Sequence, residues 1–193
     1  MGNSTYWDPR PLIADCEGIA IPEGGGATLP ASASFLHGRW SDRNWRNVPG
    51  PIFGAITDSC WTGRIVAPDH IAYDDDTGAE FVIKQPTSVV ELERVMIAAY
   101  SDPFQAYSAD GDAHWTPETA RQWWTERGRL IEWAAQLVPV WAVGNTQEQD
   151  AARGLRAMLD SLENGSTESY LRNYIFWLEE RRAPGMADLL PRL

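Results

Sequence analysis

The residues best suited to chemistry are the alternating Asp110, Asp112 and His114. Two carboxylates and an imidazole on one side of an extended loop can bind a divalent cation or act as a general base. A calcium-binding loop is excluded because no bidentate Glu follows at the required offset. The same residues also suit a turn before a helix that begins after Thr116, with both aspartates bonded to nearby backbone. We favour the turn and keep the metal or small-ligand site as the alternative.

A second acidic group is the run Asp74, Asp75 and Asp76, followed by Thr77 and Gly78. Such a run is typical of a solvated hairpin turn, and Gly78 offers the positive φ that this kind of turn needs. The alternative is an acidic knob presented to a basic partner, whose encounter complementary charge accelerates. We predict partner contacts for Asp74, Asp75 and Asp76, and likewise for Asp110 and Asp112.

Tryptophan is unusually abundant, with ten rings in 193 residues. The neighbours Trp123 and Trp124 point about 100° apart on a helix. We therefore expect one ring in the core and the other at its edge, and we predict Trp124 as a partner-binding anchor.

Motifs for most enzyme classes are missing from the sequence. The run Gly24–Gly26 lacks the Lys-Ser/Thr and the preceding strand of a phosphate-binding loop, and no nucleophile elbow or zinc-protease motif occurs. Cys16 and Cys60 alone cannot supply the four ligands that an iron–sulfur cluster or structural zinc usually needs. Asp58, Cys60 and Trp61 are explained as the start of a strand. We predict no catalytic residue and no cofactor.

Acidic residues outnumber basic ones by 27 to 16, which gives a formal net charge of −11. This balance favours a basic protein partner and repels nucleic acid and anionic membrane surfaces. No apolar run approaches the roughly 20 residues that span a bilayer, and the N-terminus lacks the basic start and apolar core of a secretory signal. We therefore expect a cytoplasmic protein; the sequence leaves its oligomeric state open.

The elements predicted from the sequence form one α+β domain over residues 51–193, preceded by an irregular Pro/Gly-rich segment over 1–50 that packs on the core. A small antiparallel meander of about three strands is expected within 52–84, from residues 60–67, 70–73 and 80–83. About four helices are expected within 87–182. They begin near Ser88, Thr116, Thr146 and Ser166, and the second runs through Ala134.

Several stretches resemble a family of small acidic, Trp-rich bacterial proteins, mostly actinobacterial. The resemblance lies in residues 49–86, then in Asp102-Pro103-Phe104, in 110–118 and in Phe176-Trp177-Leu178. Some members carry a ferredoxin label, which the cysteine count argues against here. Proteins of this kind are similar to immunity proteins, which neutralise toxins. The resemblance implies a non-enzymatic inhibitor that occludes a basic toxin of the nuclease or deaminase class.

Overall fold

The N-terminal segment is irregular but contributes to the core. The computed structural model describes residues 6–22 and 24–193. In the described part of residues 1–50, short 3-10 turns occur at Arg10–Leu12, Ala14–Cys16, Ser32–Ser34 and Trp40–Asp42. Leu29 and Phe35 are buried in the main hydrophobic cluster. Frequent prolines and glycines prevent long elements here, while scattered apolar side chains still fasten the segment to the domain.

Strands pair in two separate places. β2 (Ile71–Tyr73) and β3 (Glu80–Val82) form an antiparallel hairpin with Ala72 opposite Phe81. The loop between them is the predicted one, and Gly78 has a φ of +74°. β1 (Phe53–Gly54) pairs antiparallel with β4 (Tyr107–Ser108), which lies far along the chain.

The predicted three-stranded meander is wrong. The described strands form two sheets of two strands each, and residues 60–67 form a loop followed by the short helix α1 (Gly63–Val66). The backbone N–H of Gly63 donates to the buried Glu80 carboxylate at 2.8 Å, and a side chain at Gly63 would meet Ile71. This close approach to the hairpin fixes a helical turn where the apolar pattern indicated a strand.

Five longer helices follow or flank the strands. They are α2 (Val89–Ser101), α3 (Pro117–Thr125), α4 (Arg127–Trp141), α5 (Thr146–Glu163) and α6 (Ser166–Glu180). The N-termini of α2, α3, α5 and α6 agree with the sequence prediction; for example, Thr116 and Thr119 form a capping box at α3. No described helix has the length and apolar character that crossing a membrane requires.

The second predicted helix is in fact two. It breaks at Glu126, between α3 and α4, so the count of about four helices was too low. The Arg127 guanidinium donates at 2.8 Å to the carbonyl of Trp124. That bond adds a side-chain donor to a carbonyl in the last turn of α3. The chain is thus a mixed helix and strand fold whose helices pack around two short strand pairs.

Candidate binding groove

Two loops expose large apolar side chains beside each other. Ile56 follows β1 and is 63% exposed, while Phe104 lies between α2 and β4 and is 65% exposed. They border a surface groove of about 420 Å³, which we call the Phe104 groove. Its lining residues are Ile56, Thr57, Asp58, Ser59, Cys60, Thr77, Pro103 and Phe104. Exposed apolar residues that border one groove mark a candidate contact surface.

The buried Asp102 carboxylate holds both walls of this groove. It accepts backbone N–H bonds from Asp58 on one wall, at 3.0 Å, and from Phe104 on the other, at 3.1 Å. A third bond, of 2.8 Å, comes from the N–H of Ala106. Hydrogen bonds to a charged acceptor are stronger than neutral ones. Asp102 therefore fixes the spacing of the two loops.

Asp58 is the charged group inside the groove. It is only 5% exposed, and its Oδ1 accepts the N–H of Cys60 at 3.3 Å. Its Oδ2 accepts no bond from an N–H or O–H group of the described residues. The nearby Cys60 thiol is a weak donor, and its pKa is raised by Asp58. Among the described residues no basic side chain lines the groove, so the charge of the largely buried Asp58 is not paired with a cation there.

Glu80 lies below the groove and is completely buried. Its backbone N–H donates to Thr57 Oγ1 at 2.6 Å, which ties the strand β3 to the first wall. Its carboxylate accepts from the N–H of Gly63 at 2.8 Å and from the Tyr107 hydroxyl at 2.5 Å. Burial raises the pKa of Glu80 to about 7, and Asp58 adds to the rise. The buried Glu80, which contacts the groove wall through Thr57, therefore holds its proton more tightly than an exposed carboxyl group does.

Each wall is followed along the chain by a residue with a left-handed backbone. Trp61 has a φ of +59° and Gln105 a φ of +52°. This conformation costs a residue other than Gly about 1–2 kcal/mol. Trp61 is held by stacking on Tyr73, with ring centroids 4.8 Å apart, and Gln105 by a 3.0 Å bond to His37. Strain of this kind accumulates at functional sites, where surrounding contacts maintain it.

Asp74, the first residue of the predicted acidic knob, is 4% exposed, so its carboxylate is not displayed at the surface as that prediction expected. Its carboxylate accepts bonds from Asn44 at 2.9 Å and from the N–H of Thr77 at 2.7 Å. It thus stabilises the hairpin loop, as short acidic side chains often do in turns. Because Thr77 lines the groove, this loop forms part of its border.

Asp75 and Asp76 have partners within the chain. The indole N–H of Trp133 donates to Asp75 at 2.6 Å, and the Arg46 guanidinium lies 3.7 Å from Asp75 and 3.9 Å from Asp76. Arg46 also stacks over the Trp133 ring, 4.4 Å from its centroid. The Asp76 side chain nevertheless remains 80% exposed. Of the three predicted acids, Asp76 is therefore the one most available to a partner.

The structure separates Asp110 from Asp112. Asp112 is buried, accepts the Tyr174 hydroxyl at 2.6 Å and lies 2.9 Å from the Arg10 guanidinium. Burial raises the pKa of Asp112. Asp110 instead accepts the Ser108 hydroxyl at 2.6 Å and lies 3.2 Å from His114. The partners of both carboxylates are thus side chains, where the turn interpretation expected backbone.

No metal-binding geometry results from this arrangement. His114 stacks on Trp40, with centroids 4.8 Å apart, and only Asp110 of the two predicted carboxylate ligands contacts it. Across residues 6–22 and 24–193, no three His, Cys, Asp or Glu side chains are placed to hold one metal ion. Asp112, turned toward α6, is thus not available as a third ligand beside Asp110 and His114.

Trp124 lies among cations, and its ring is half-buried, whereas Trp123 is buried in the core. The Arg127 guanidinium covers Trp124 at 3.9 Å from the ring centroid. Arg172 and Arg192 line the same shallow depression. Glu168 is the one acidic residue among the described residues that line this depression, and the partner-binding role of Trp124 stays a prediction.

Comparison with protein-family models, with curated proteins and with solved structures finds no match to this chain. The groove must therefore be interpreted from its own chemistry. It combines an apolar rim, a carboxylate without a cationic partner in the lining and walls fixed by a buried aspartate. Such a site can bind a long cationic side chain: its apolar stem fits the rim, and its charge fits Asp58.

Proposed function

We propose that this chain is a non-enzymatic acidic binding protein that inhibits a basic toxin by occlusion, as immunity proteins do. The Phe104 groove carries the proposal, because it joins two exposed apolar residues to a carboxylate, that of Asp58, with no basic side chain among the described lining residues. In this proposal an Arg or Lys of the toxin lies between Ile56 and Phe104 and pairs with Asp58. A toxin that uses this cation to bind its own substrate is then blocked.

The charge of the whole chain supports the same proposal. A net charge of −11 attracts a cationic protein and speeds the encounter. Apolar contacts near the centre of an interface then provide most of the affinity. Membership in the small acidic Trp-rich bacterial family, expected from the sequence motifs, is part of the proposal and agrees with this role.

The partner is sought by affinity purification of the tagged full chain from its native host. The groove variant is Asp58→Asn, which keeps the shape of the side chain and removes its charge. The control is Asp160→Asn, which removes the same charge from an exposed position on α5. We expect one basic protein with the unaltered chain and the control, and a loss of at least tenfold with Asp58→Asn. Recovery of no basic protein, or equal recovery with both variants, contradicts the proposal.

The position of the contact is tested through the two cysteines. Cys60 is exposed in the groove, and Cys16 is buried. Partner binding should slow alkylation of Cys60 by at least tenfold, because the bound side chain covers the thiol. In the same sample, slow labelling of Cys16 verifies that the chain stays folded. Unchanged Cys60 labelling in a saturated complex places the contact elsewhere and overturns the groove assignment.

Inhibition is measured by co-expression with the recovered partner. The unaltered chain should restore growth to cells that express an active toxin, and Phe104→Ala should restore less. If Phe104→Ala and Asp58→Asn both restore growth as fully as the unaltered chain does, neither wall of the groove contributes to inhibition, which contradicts the proposal.

A further inference from the structure

A cavity separate from the Phe104 groove lies beside the start of α6. Its volume is about 340 Å³, which falls in the usual range of small-molecule sites. It shares no lining residue with the groove. The lining combines rings with polar groups: Tyr6, Trp7, Val48, Ile83, Lys84, Gln85, Thr87, Ser161, Ser166, Thr167, Tyr170 and Asn173.

Asn173 is a buried amide with unused hydrogen-bonding capacity on this lining. It is 2% exposed. One amide N–H donates to the carbonyl of Ser169 at 2.8 Å. Its Oδ1 accepts no bond from the described residues, and its second N–H has no acceptor among them. Because Asn173 lines the cavity, a ligand that enters it can bond to both of these groups.

A hydroxyl pair adds a second polar position. Ser161 and Thr167 lie 2.7 Å apart, oxygen to oxygen, and both line the cavity. Because one hydroxyl donates to the other, one O–H proton of the pair stays free. The cavity thus offers an amide donor and acceptor together with a hydroxyl donor.

Aromatic rings form the apolar part of the lining. Tyr6 and Tyr170 lie with ring centroids 6.3 Å apart, and Trp7 is beside them. The chain's single lysine, Lys84, also lines the cavity, but its ammonium group is paired with Glu91 at 2.7 Å. The charge at this position is therefore already compensated, which favours an uncharged ligand over an anion.

We propose that this cavity binds an uncharged planar heteroaromatic molecule of nucleobase size with a hydrogen-bond donor and acceptor side by side. The ring would pack against Tyr6, Trp7 and Tyr170. Its edge would form two parallel bonds with Asn173, since a primary amide pairs in this way with adenine. This site is independent of the proposed inhibition of a toxin.

The test is calorimetric titration of the full chain with adenine and with N6,N6-dimethyladenine, which lacks the exocyclic donor. We expect saturable binding of adenine at a ratio of one to one, and at least tenfold weaker binding of the dimethyl compound. Equal binding of both compounds, or no saturable binding of adenine up to about 1 mM, overturns the proposal. This comparison uses the unaltered chain, so it remains decisive even where a variant fails to fold.

A matched pair of variants locates the site. Asn173→Leu removes the buried amide, and Gln136→Leu makes the same kind of change at an exposed position of α4. Adenine should bind Asn173→Leu at least tenfold more weakly than the unaltered chain and bind Gln136→Leu normally. Normal binding by a folded Asn173→Leu shows that adenine does not contact this amide and rejects the proposed pairing.

Discussion

Replacing Glu80 by Gln should change how the stability of the chain depends on pH. Burial raises the pKa of this carboxyl group to about 7 in the folded chain, from an ordinary value of 4.5. The folded state therefore holds the proton more tightly than the unfolded state does. As the pH rises from about 4.5 through about 7, the unfolded state loses its proton first. The contribution of Glu80 to stability is thus complete below this window and is lost above it.

The size of the effect follows from the pKa difference. Each pKa unit corresponds to about 1.4 kcal/mol, so the contribution of Glu80 falls by about 3 kcal/mol across the window. Gln has no proton to lose, and its amide can still bond to the N–H of Gly63 and the hydroxyl of Tyr107. Relative to the unaltered chain, Glu80→Gln should therefore gain about 3 kcal/mol between pH 4 and pH 8.

The assay is urea unfolding of both proteins at half-unit steps over this pH range, monitored by tryptophan fluorescence. The quantity of interest is the difference in their free energies of unfolding, in which the titration of most other groups cancels. Glu132→Gln is the control, because Glu132 is exposed and has no ion pair with a described residue. A difference that stays flat within about 0.5 kcal/mol, or that falls with rising pH, refutes the role assigned to the buried carboxyl group.

Three further predictions concern the walls of the groove. Asp102→Asn turns an amide group toward backbone donors, so it should lower the free energy of unfolding by about 2–3 kcal/mol, measured by urea titration. A loss below about 0.5 kcal/mol contradicts the role of Asp102 as the link between the walls. Gln105→Gly relieves a left-handed φ and should raise the free energy of unfolding by about 1 kcal/mol. A lower free energy of unfolding would mean that the lost His37 contact outweighs the strain. In the free chain, Cys60 should react with a thiol reagent about a hundredfold faster than Cys16, as followed by mass spectrometry; equal rates would place both thiols in similar surroundings.

The parts of the fold that the sequence predicted correctly are those specified by local signals. Thr116 followed by Pro117 marks the start of α3, and the run from Asp74 to Gly78 marks the hairpin. Residues 60–67 were misassigned because their conformation depends on the distant Glu80, whose carboxylate binds Gly63. A tertiary contact of this kind leaves no pattern in the segment itself.

The groove was beyond prediction for the same reason. Asp58 and Asp102 are 44 positions apart and meet only in the fold. From the sequence, Asp58 is explained as the start of a strand, and Asp102 and Phe104 stand out only within the family resemblance. The acidic residues that are conspicuous in the sequence lie elsewhere, and Asp74 and Asp112 among them are buried. In this chain the density of charge along the sequence was a poor guide to which carboxylates remain free.

The three backbone bonds to Asp102 also have a kinetic consequence. They hold the two loops in place before any ligand arrives, so association requires little ordering of the chain. Encounter with a cationic protein should then be fast and should slow markedly as salt is added. Substitutions of residues inside the contact should act mainly on the dissociation rate of the complex.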